Sequence, residues 1–360
     1  MILYIGLAVI TVTAAFFVNN KTMIQSNRVS RQQMTNRILV AGIFALLFAV
    51  SACRIAVGND YWEYTEIFQL IHQNRHVSTE IGFNLVVRVV QFLFGTGKVS
   101  YLVIFGIFSF ATVWFFLKAI YDQSEWFVWS VFLFMTGGYY FSSMTSVRYY
   151  FVLAVALYAM KYALKKQWTP FILLIVFAAF FHKSVLFVIP IYWLARRKWK
   201  KWHILLGAGL IGTFLVFQDV YRRIIFFFYP FYENSMFDNG DTSLVNIAKC
   251  LGVLVLSLIY YKCAIGENEA NQFYFFLNLG ALALYVFCSF IPEISRVGYY
   301  LNITNIFLIP GILKAIPHKK QRIFFSAAVA VAFCLYFALF LYKSYDVSIR
   351  LLPYLNWIFN

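Results

Sequence analysis

The chain has 360 residues, of which 62% are hydrophobic and 12% are charged. A soluble domain usually carries about twice that charged fraction, because its surface faces water. The composition therefore excludes a soluble globular protein. It predicts an integral membrane protein whose apolar segments each cross a hydrocarbon core of about 30 Å.

The formal net charge of +16 does not indicate nucleic-acid binding, because the lysines and arginines gather in short loops between apolar segments. That distribution follows the positive-inside rule and predicts cytoplasmic loops around residues 21–37, 161–166, 196–201 and 314–322. The five cysteines show no metal-ligand spacing, and the chain lacks a P-loop and a D-x-D pair. We therefore expect no metal site, no cofactor and no nucleic-acid partner.

Candidate helices follow one another along the whole chain. Their approximate ranges are 2–18, 38–57, 81–95, 99–118, 148–164, 169–181, 184–195, 203–218, 244–263, 271–291, 297–315 and 323–342. The first has no basic residues before it, so we interpret it as a retained helix with its N-terminus outside. The predicted fold is an all-α, polytopic transmembrane helix bundle of about 10–12 spans. It forms a single membrane domain over residues 1–360, with outer loops at about 58–80 and 219–243.

One apolar segment, residues 126–140, contains the pair Gly137-Gly138 in its interior. If this segment crossed the membrane, the lysines at 161–166 would be placed outside. We therefore predict a re-entrant or half-length helix that dips in from the outside and returns before Arg148.

A second irregular region, residues 169–195, contains two apolar stretches of about thirteen and about twelve residues around His182-Lys183-Ser184. Each stretch is short for a full span. The start of the first stretch and the end of the second both carry the basic residues that are typical of cytoplasmic loops. This pattern predicts a hairpin whose tip, with His182 and Lys183, lies at the floor of an outward-facing cavity.

Acidic residues are expected mainly on the outside, opposite the basic loops. The outer set is Asp60, Glu63, Glu66, Glu80, Asp122, Glu125, Asp219, Glu233, Asp238, Asp241, Glu293 and Asp346. The outer loop 221–241 is also rich in aromatic residues, and an interfacial amphipathic segment is a better explanation for it than sugar stacking. Its aromatic residues include Phe226, Phe227, Phe228, Tyr229, Phe231 and Tyr232.

Charged residues near membrane helices are costly and therefore need a specific role. Arg54 lies just before the end of a predicted helix, and Asp60 lies just after it. A snorkelling arginine in an aromatic belt explains this pattern as well as an anion-binding arginine beside a carboxylate does. Glu80 opens another helix, where an acid suits the helix dipole, so a structural role is favoured for Glu80 taken alone.

Arg148 is the strongest single candidate, because an arginine at the start of a helix is unfavourable for the dipole. His182 alone is more typical of a hydrogen-bonded structural residue, but the adjacent Lys183 favours a polar pocket. Glu293 and Arg296 lie at another outer helix junction, where they could pair with each other.

Together these side chains predict one site that faces outward. Arg54, Arg148, Lys183 and Arg296 would supply positive charge, with few acids nearby, which suits a phosphate or pyrophosphate ligand. Asp60, Glu80 and His182 would be available for proton transfer.

The order and spacing of these short motifs resemble the EpsG family of Wzy-like bacterial polysaccharide polymerases. The matching runs are Arg54…Gly58-Asn59-Asp60-Tyr61…Tyr64, Glu80-Ile81-Gly82-Phe83, Ser146-Val147-Arg148, Phe181-His182-Lys183-Ser184 and the ending Leu352-Pro353-Tyr354. The resemblance covers nearly the whole chain. The sequence departs from the family at Tyr149, where glutamine is common.

The resemblance implies a glycosyltransferase of the bacterial cytoplasmic membrane whose active site faces the periplasm or the cell exterior. It would move a growing O-antigen, capsule or exopolysaccharide chain from undecaprenyl pyrophosphate to a sugar hydroxyl of an incoming lipid-linked repeat unit. Its partners would be the lipid-linked donor and acceptor oligosaccharides, membrane lipid and a chain-length regulator protein.

The chemistry of the candidate residues suits this reaction, and roles can be assigned to them as a hypothesis. Arg54, Arg148 and Arg296 would bind the pyrophosphate, and Asp60 or Glu80 would be the base, with His182 in reserve. The further substrate contacts would be Tyr61, Tyr64, Lys183 and Glu293.

Three other functions remain open from the sequence. An O-antigen ligase or another glycosyltransferase acting on lipid-linked sugars would share the donor. A transporter or flippase for lipid-linked sugars would show broken helices in matching halves, and only one broken segment is evident. A membrane acyltransferase would require a stronger histidine motif than His182.

Overall fold

The computed structural model describes residues 1–20, 30–197, 199, 201–228, 230, 233, 235, 238 and 242–358. The helices in these residues are α1 (Ile2–Phe16), α2 (Arg31–Ala52), α3 (Tyr61–His72), α4 (Ile81–Phe94), α5 (Lys98–Gln123), α6 (Phe127–Thr136), α7 (Tyr139–Ser142), α8 (Val147–Leu164), α9 (Trp168–Ala179), α10 (Val188–Ala195), α11 (Lys201–Val216), α12 (Gln218–Phe228), α13 (Leu244–Ile259), α14 (Glu269–Phe287), α15 (Ile294–Asn302), α16 (Asn305–Ala315) and α17 (Lys319–Lys343). A 3₁₀ turn at Lys183–Phe187 precedes α10, and a π-helical turn at Tyr261–Gly266 follows α13. The short strands β1 (Arg54–Ile55) and β2 (Leu355–Asn356) pair antiparallel. The predicted all-α bundle is confirmed.

Five of the described helices, α2, α5, α8, α14 and α17, are long and apolar enough to cross a membrane. Shorter apolar helices of 10–17 residues accompany them, among them α1, α4, α6, α9 and α13. The surface of α17 is largely apolar, as expected for a helix in contact with lipid. Its exposed side chains include Ile323, Phe324, Val331, Leu335 and Leu339. The chain is therefore a multi-pass membrane protein.

Of the five long apolar helices in the described residues, α8 is the most buried. It packs against α5 and α9, and α5 also contacts α2 and α4. A second group of helices, α10, α13, α15 and α16, packs around α14. The start of α14 is fixed by the Asn268 side chain, which accepts hydrogen bonds from the N–H groups of Ala270 and Asn271.

One end of the bundle collects basic side chains and is hereafter the basic end. Lys161, in the last turn of α8, pairs with Asp122 at the end of α5, with 2.8 Å between Nζ and Oδ2. Arg196, which follows α10, pairs with Glu269 at the start of α14. The opposite end, hereafter the cavity end, holds the start of α8 at Val147.

The helices α9 and α10 form the hairpin that the sequence predicts. The start of α9 and the end of α10 lie together at the basic end of the bundle. There Arg196 Nε donates a hydrogen bond to the Leu164 carbonyl at 3.3 Å. Its tip points toward the cavity end, where the Lys183 N–H donates to Glu80 Oε1 at 3.2 Å. The placement of His182 and Lys183 at the tip of a half-length hairpin is confirmed.

The helices α6 and α7 run from the basic end to the cavity end, so the prediction that residues 126–140 dip in from outside is wrong. Before α6, Lys314 Nζ pairs with Glu125 Oε2 at 3.3 Å at the basic end. After α7, Ser146 lies at the cavity end, at the start of α8. The expected break is present at Gly138, whose φ of +77° favours glycine. The chain nevertheless continues in the same direction after it.

The helix α4 is the short apolar helix that does not cross the bundle from one end to the other. At its start, the Gly82 N–H donates to the Phe180 carbonyl near the hairpin tip, at 2.8 Å. Its end at Phe94 leads directly to the start of α5, which is the end of α5 farthest from Asp122. Both ends of α4 therefore lie toward the cavity end. This short helix, and not residues 126–140, keeps the lysines at 161–166 with the other basic residues.

Two carboxylates lie on the opposite side from the one expected. Asp122 accepts from Lys118 as well as Lys161, and Glu125 pairs with Lys314, so both acids lie at the basic end. The expectation that they lie opposite the basic loops is wrong. Acidic residues contribute little to the positive-inside rule, so the rule does not predict on which side of the membrane they lie. Asp122 and Glu125 instead lie where lysines pair with them.

The helix α12 begins the long loop predicted at residues 219–243. It exposes Val220, Ile224 and Phe227 and carries Arg222, which pairs with Asp238 at 2.8 Å. This mixture of apolar and charged faces is typical of a helix that lies in the membrane interface. Three aromatic residues named for this loop lie outside the described residues, namely Tyr229, Phe231 and Tyr232.

Candidate functional site

A cavity of about 490 Å³ opens at the cavity end of the bundle. It lies between the start of α8, the start of α13 and the start of α15. Its walls are mostly hydroxyl, phenol, amide and charged groups, so it suits a polar ligand. The lining residues are Thr145, Ser146, Tyr149, Tyr150, Thr242, Ser243, Asn246, Glu293, Ser295, Arg296 and Tyr299.

Arg148 lies beside this cavity in the first turn of α8. Its Nη1 pairs with Glu80 Oε2 at 2.5 Å, and its guanidinium lies 5.4 Å from the centre of the Phe83 ring. The backbone N–H of Arg148 donates to the Tyr64 hydroxyl at 3.3 Å. Arg148 Nε has no hydrogen-bond partner within the described part of the chain. The arginine is thus held by aromatic faces and one carboxylate, and its buried Nε donor is left unsatisfied.

Asp60 lies just before α3 and meets the start of α8. Its Oδ2 accepts a hydrogen bond from the Ser146 hydroxyl at 2.6 Å. Burial raises the pKa of the Asp60 carboxyl, while the Ser146 hydrogen bond and the charges of Arg296 and Arg148 act in the opposite direction. The net effect is a carboxylate that is more basic than usual.

The hairpin tip contributes backbone and imidazole groups to the same region. The Lys183 N–H bonds Glu80, and the Lys183 side chain is exposed. His182 Nδ1 accepts from the Ser184 N–H at 3.4 Å and lies 2.8 Å from the Ser184 hydroxyl, which assigns the proton of the neutral ring to Nε2. Burial, and then the charges of Arg296 and Arg148, lower the pKa of His182 to about 3. His182 is therefore a neutral hydrogen-bond donor and a weak base.

Arg296 and Glu293 occupy the opposite wall of the cavity. Arg296 Nε pairs with Glu293 Oε2 at 2.5 Å, so the pairing that the sequence allows is present. The Arg296 carbonyl accepts from the Tyr149 hydroxyl at 2.8 Å, which ties the start of α15 to α8. The Arg296 side chain remains 37% exposed, so it can reach a ligand in the cavity.

Arg54 and Tyr61 lie away from these groups. Arg54 is 1% exposed, and its guanidinium bonds the Ser51 carbonyl and the Ser109 hydroxyl beneath the Phe105 ring. Tyr61 stacks on the same Phe105 ring, with 5.0 Å between centroids. The structure therefore brings Arg148, Arg296, Asp60, Glu80, His182, Lys183, Tyr64 and Glu293 together, but it buries Arg54 in a separate polar contact.

The sequence model of the EpsG family matches residues 37–356, which include every residue of this site. The chain belongs to the EpsG family. No curated protein and no solved structure gives a significant match. Membership of the EpsG family supports a membrane polysaccharide polymerase-type function.

The charge balance of the EpsG-family site differs from the sequence expectation of many cations and few acids. Arg148 is neutralised by Glu80, and Arg296 is neutralised by Glu293. Asp60 is a third acid, and Glu63 lies close enough for its pKa to be raised, first by burial and then by the Asp60 charge. Each of these two arginines therefore already has an anionic partner within the protein. A bound phosphate would have to compete with those carboxylates.

Much of the EpsG-family cavity is built from uncharged residues that the sequence analysis did not single out. Ser146 was visible only as a neighbour of Arg148, and it proves to be the hydrogen-bond donor to Asp60. Thr242, Ser243 and Asn246 at the start of α13 carry no sequence signal, because polar residues are common at helix starts. Among the described residues, no group of three or more His, Cys, Asp or Glu side chains is arranged to hold a metal ion.

Proposed function

We propose that this EpsG-family protein polymerises lipid-linked oligosaccharides at the outer face of a bacterial cytoplasmic membrane. It would transfer the growing glycan from undecaprenyl pyrophosphate to a sugar hydroxyl of an incoming lipid-linked repeat unit. The observation that carries this proposal is the pair of ion-paired arginines at one polar cavity, with Arg148–Glu80 beside it and Arg296–Glu293 in its wall.

Positive charge for the leaving group would come from the protein. As the bond between the sugar C1 and the pyrophosphate oxygen breaks, negative charge develops on the pyrophosphate. Arg148 and Arg296 can donate several hydrogen bonds to phosphate oxygens in a geometry that ammonium groups cannot match. Donors fixed at the place where charge develops lower the barrier most effectively. In this scheme the reaction uses no metal ion.

Asp60 is the group best suited to take the proton of the acceptor hydroxyl. Its carboxyl has a raised pKa and no arginine pairs with it among the described residues, whereas the Glu80 carboxylate is already paired with Arg148. The acceptor oxygen would bond to C1, its proton would pass to Asp60, and undecaprenyl pyrophosphate would leave. Glu80 would then be a positioning residue for Arg148 and for the hairpin tip. His182 would donate a hydrogen bond from Nε2.

A deletion strain tests this proposal. Loss of a polymerase leaves one repeat unit on the surface acceptor, because export and ligation still proceed. Loss of a flippase would remove surface glycan altogether. Loss of a ligase would leave full-length chains on the lipid carrier. We expect single-unit glycan, detected by gel electrophoresis and mass spectrometry, and either of the other two patterns would overturn the proposal.

A further inference from the structure

Lys249 is a charged residue in the middle of an apolar helix, where charge is costly. It lies on α13, three residues after Asn246, which lines the cavity. Three residues of α-helix rise about 4.5 Å and return to nearly the same face. Lys249 is therefore about one turn deeper than the cavity wall, on the same side of α13.

The contacts of Lys249 leave its charge without a counter-ion. Its Nζ lies 4.5 Å from the centre of the Tyr336 ring on α17, and no carboxylate in the described residues pairs with it. A cation–π contact offsets part of the desolvation cost of an ammonium group but does not neutralise it. Cations inside membrane helices generally face a polar cavity or a ligand.

A polar path connects the cavity to the depth of Lys249. Asn246 Oδ1 accepts from Asn302 Nδ2 at 3.4 Å, and Asn302 Oδ1 accepts from the Tyr139 hydroxyl at 3.0 Å. These linked amide and phenol groups show that the bundle below the cavity wall accommodates polar side chains.

The line along which α13 and α17 meet, hereafter the seam, lies beside Lys249 and also faces lipid. The helix α13 packs against α14 and α16, whereas α17 packs against α6 and α16. Leu335 and Leu339, next to Tyr336 on α17, are each 63% exposed. An apolar chain could therefore lie along α17 while a polar head enters between α13 and α17.

We propose that Lys249 binds a phosphate group of an amphiphilic substrate at the seam between α13 and α17. The ligand chemistry is a diphosphate ester whose polyprenyl chain stays in the membrane, so the inference rests on the proposed function and adds an entry position to it. Lys249 would hold the diphosphate as it enters, and the arginines above would receive it at the reacting centre.

The test measures binding to the full chain in lipid nanodiscs. The probes are undecaprenyl pyrophosphate and inorganic pyrophosphate, and the variants are Lys249→Gln, Lys249→Arg and the control Lys262→Gln at the far end of the same segment. We expect Lys249→Gln to weaken undecaprenyl pyrophosphate binding about tenfold or more, since a charge-assisted hydrogen bond is lost. Lys249→Arg should retain most of the affinity, and Lys262→Gln should match the wild type.

The outcomes separate this inference from the proposed function. Equal binding of the lipid diphosphate by Lys249→Gln and the wild type would overturn the inference alone. Binding of inorganic pyrophosphate by the wild type as tight as that of undecaprenyl pyrophosphate would also overturn it, because the position would then recognise a free anion and not a lipid. Absence of lipid diphosphate binding by the wild type would instead contradict the proposed function.

A stability measurement distinguishes a lost contact with the ligand from misfolding of the variant. Because Lys249 is an unpaired cation in an apolar helix, Lys249→Gln should melt at the same or a higher temperature without ligand. A weakly binding variant that also melts lower and elutes as an aggregate would assign Lys249 to folding and overturn the inference.

Discussion

Two arginines, Arg54 and Arg148, stand in contrasting regions of the molecule. Arg54 is 1% exposed and is held by Ser51 and Ser109 below an aromatic ring. The Arg148 side chain is 18% exposed, faces Glu80 and lies beside the cavity. In both arginines Nε is buried and lacks a partner among the described residues, but only the Arg148 side chain keeps exposed surface.

The difference shows that an arginine near a membrane helix end can be structural or functional for reasons that lie in its neighbours. The Ser51 and Ser109 hydroxyls are 2.9 Å apart and belong to α2 and α5, so Arg54 joins two helices. Arg148 contacts a carboxylate that a phosphate could replace. The comparison makes opposite predictions for substitution of the two residues.

The largest effect is expected for Arg148→Ala. Loss of a preorganised donor to the leaving group should reduce polymer formation by about 10²–10³-fold. Gel analysis of surface glycan should show single units in place of a ladder, with the protein still present in the membrane. The matched control is Arg197→Ala at the basic end, which should keep the ladder. A normal ladder from Arg148→Ala would remove Arg148 from the mechanism.

Asp60→Asn should be the next most severe change, with a rate loss of about 10²-fold or more if Asp60 is the base. Its stability should not fall at neutral pH. A carboxyl whose pKa is raised on folding destabilises the protein when ionised, and that cost is present above the folded pKa and vanishes below the unfolded pKa. Wild-type activity should decrease as the pH falls through the raised pKa. Full activity of a folded Asp60→Asn protein would assign the base elsewhere.

Ser146→Ala should produce a smaller, pH-dependent effect. The Ser146 hydrogen bond lowers the pKa of Asp60, so its removal should raise that pKa further. The acid limb of the pH–rate profile should therefore move to higher pH, while activity at alkaline pH changes little. An unchanged acid limb would show that Asp60 does not control it.

Arg54→Met should leave the activity of each folded molecule unchanged and alter stability instead. Loss of the link between α2 and α5 should lower the unfolding free energy by about 1–3 kcal/mol. The Tm in detergent and the amount of protein in the membrane would both report this loss. Inactive Arg54→Met protein with normal stability would place Arg54 in the site after all.

The hairpin at residues 169–195 could be predicted because charge marks both of its ends. Lys165 before α9 and Arg196 after α10 require the chain to return to the same side, and His182 must then be the tip. Charge alone could not distinguish residues 81–95 from 126–140, since both are apolar and short. The Gly82–Phe180 hydrogen bond and the Glu125–Lys314 pair, which are tertiary contacts, decided which segment crosses.

The charged part of the site was visible for a similar reason, since Arg148, Glu80 and Arg296 are unusual so near apolar segments. Its uncharged part was not visible. Asn246 and Ser243 resemble ordinary helix-start residues, and only the packing of α13 places them in the cavity wall. Arg54, like Arg148, is an arginine near the end of a predicted helix. Its burial between α2 and α5 depends on a tertiary contact with Ser109, which the sequence does not reveal.

Reconstitution of the purified protein tests the central claim most directly. The wild type and Arg148→Ala, in nanodiscs with EDTA, would receive undecaprenyl-pyrophosphate-linked repeat units, and lipid-linked products would be measured by mass spectrometry. We expect the wild type to form products of two or more units, with one undecaprenyl pyrophosphate released for each linkage, and Arg148→Ala to form almost none. Equal product from both proteins, or none from the wild type, would contradict the account.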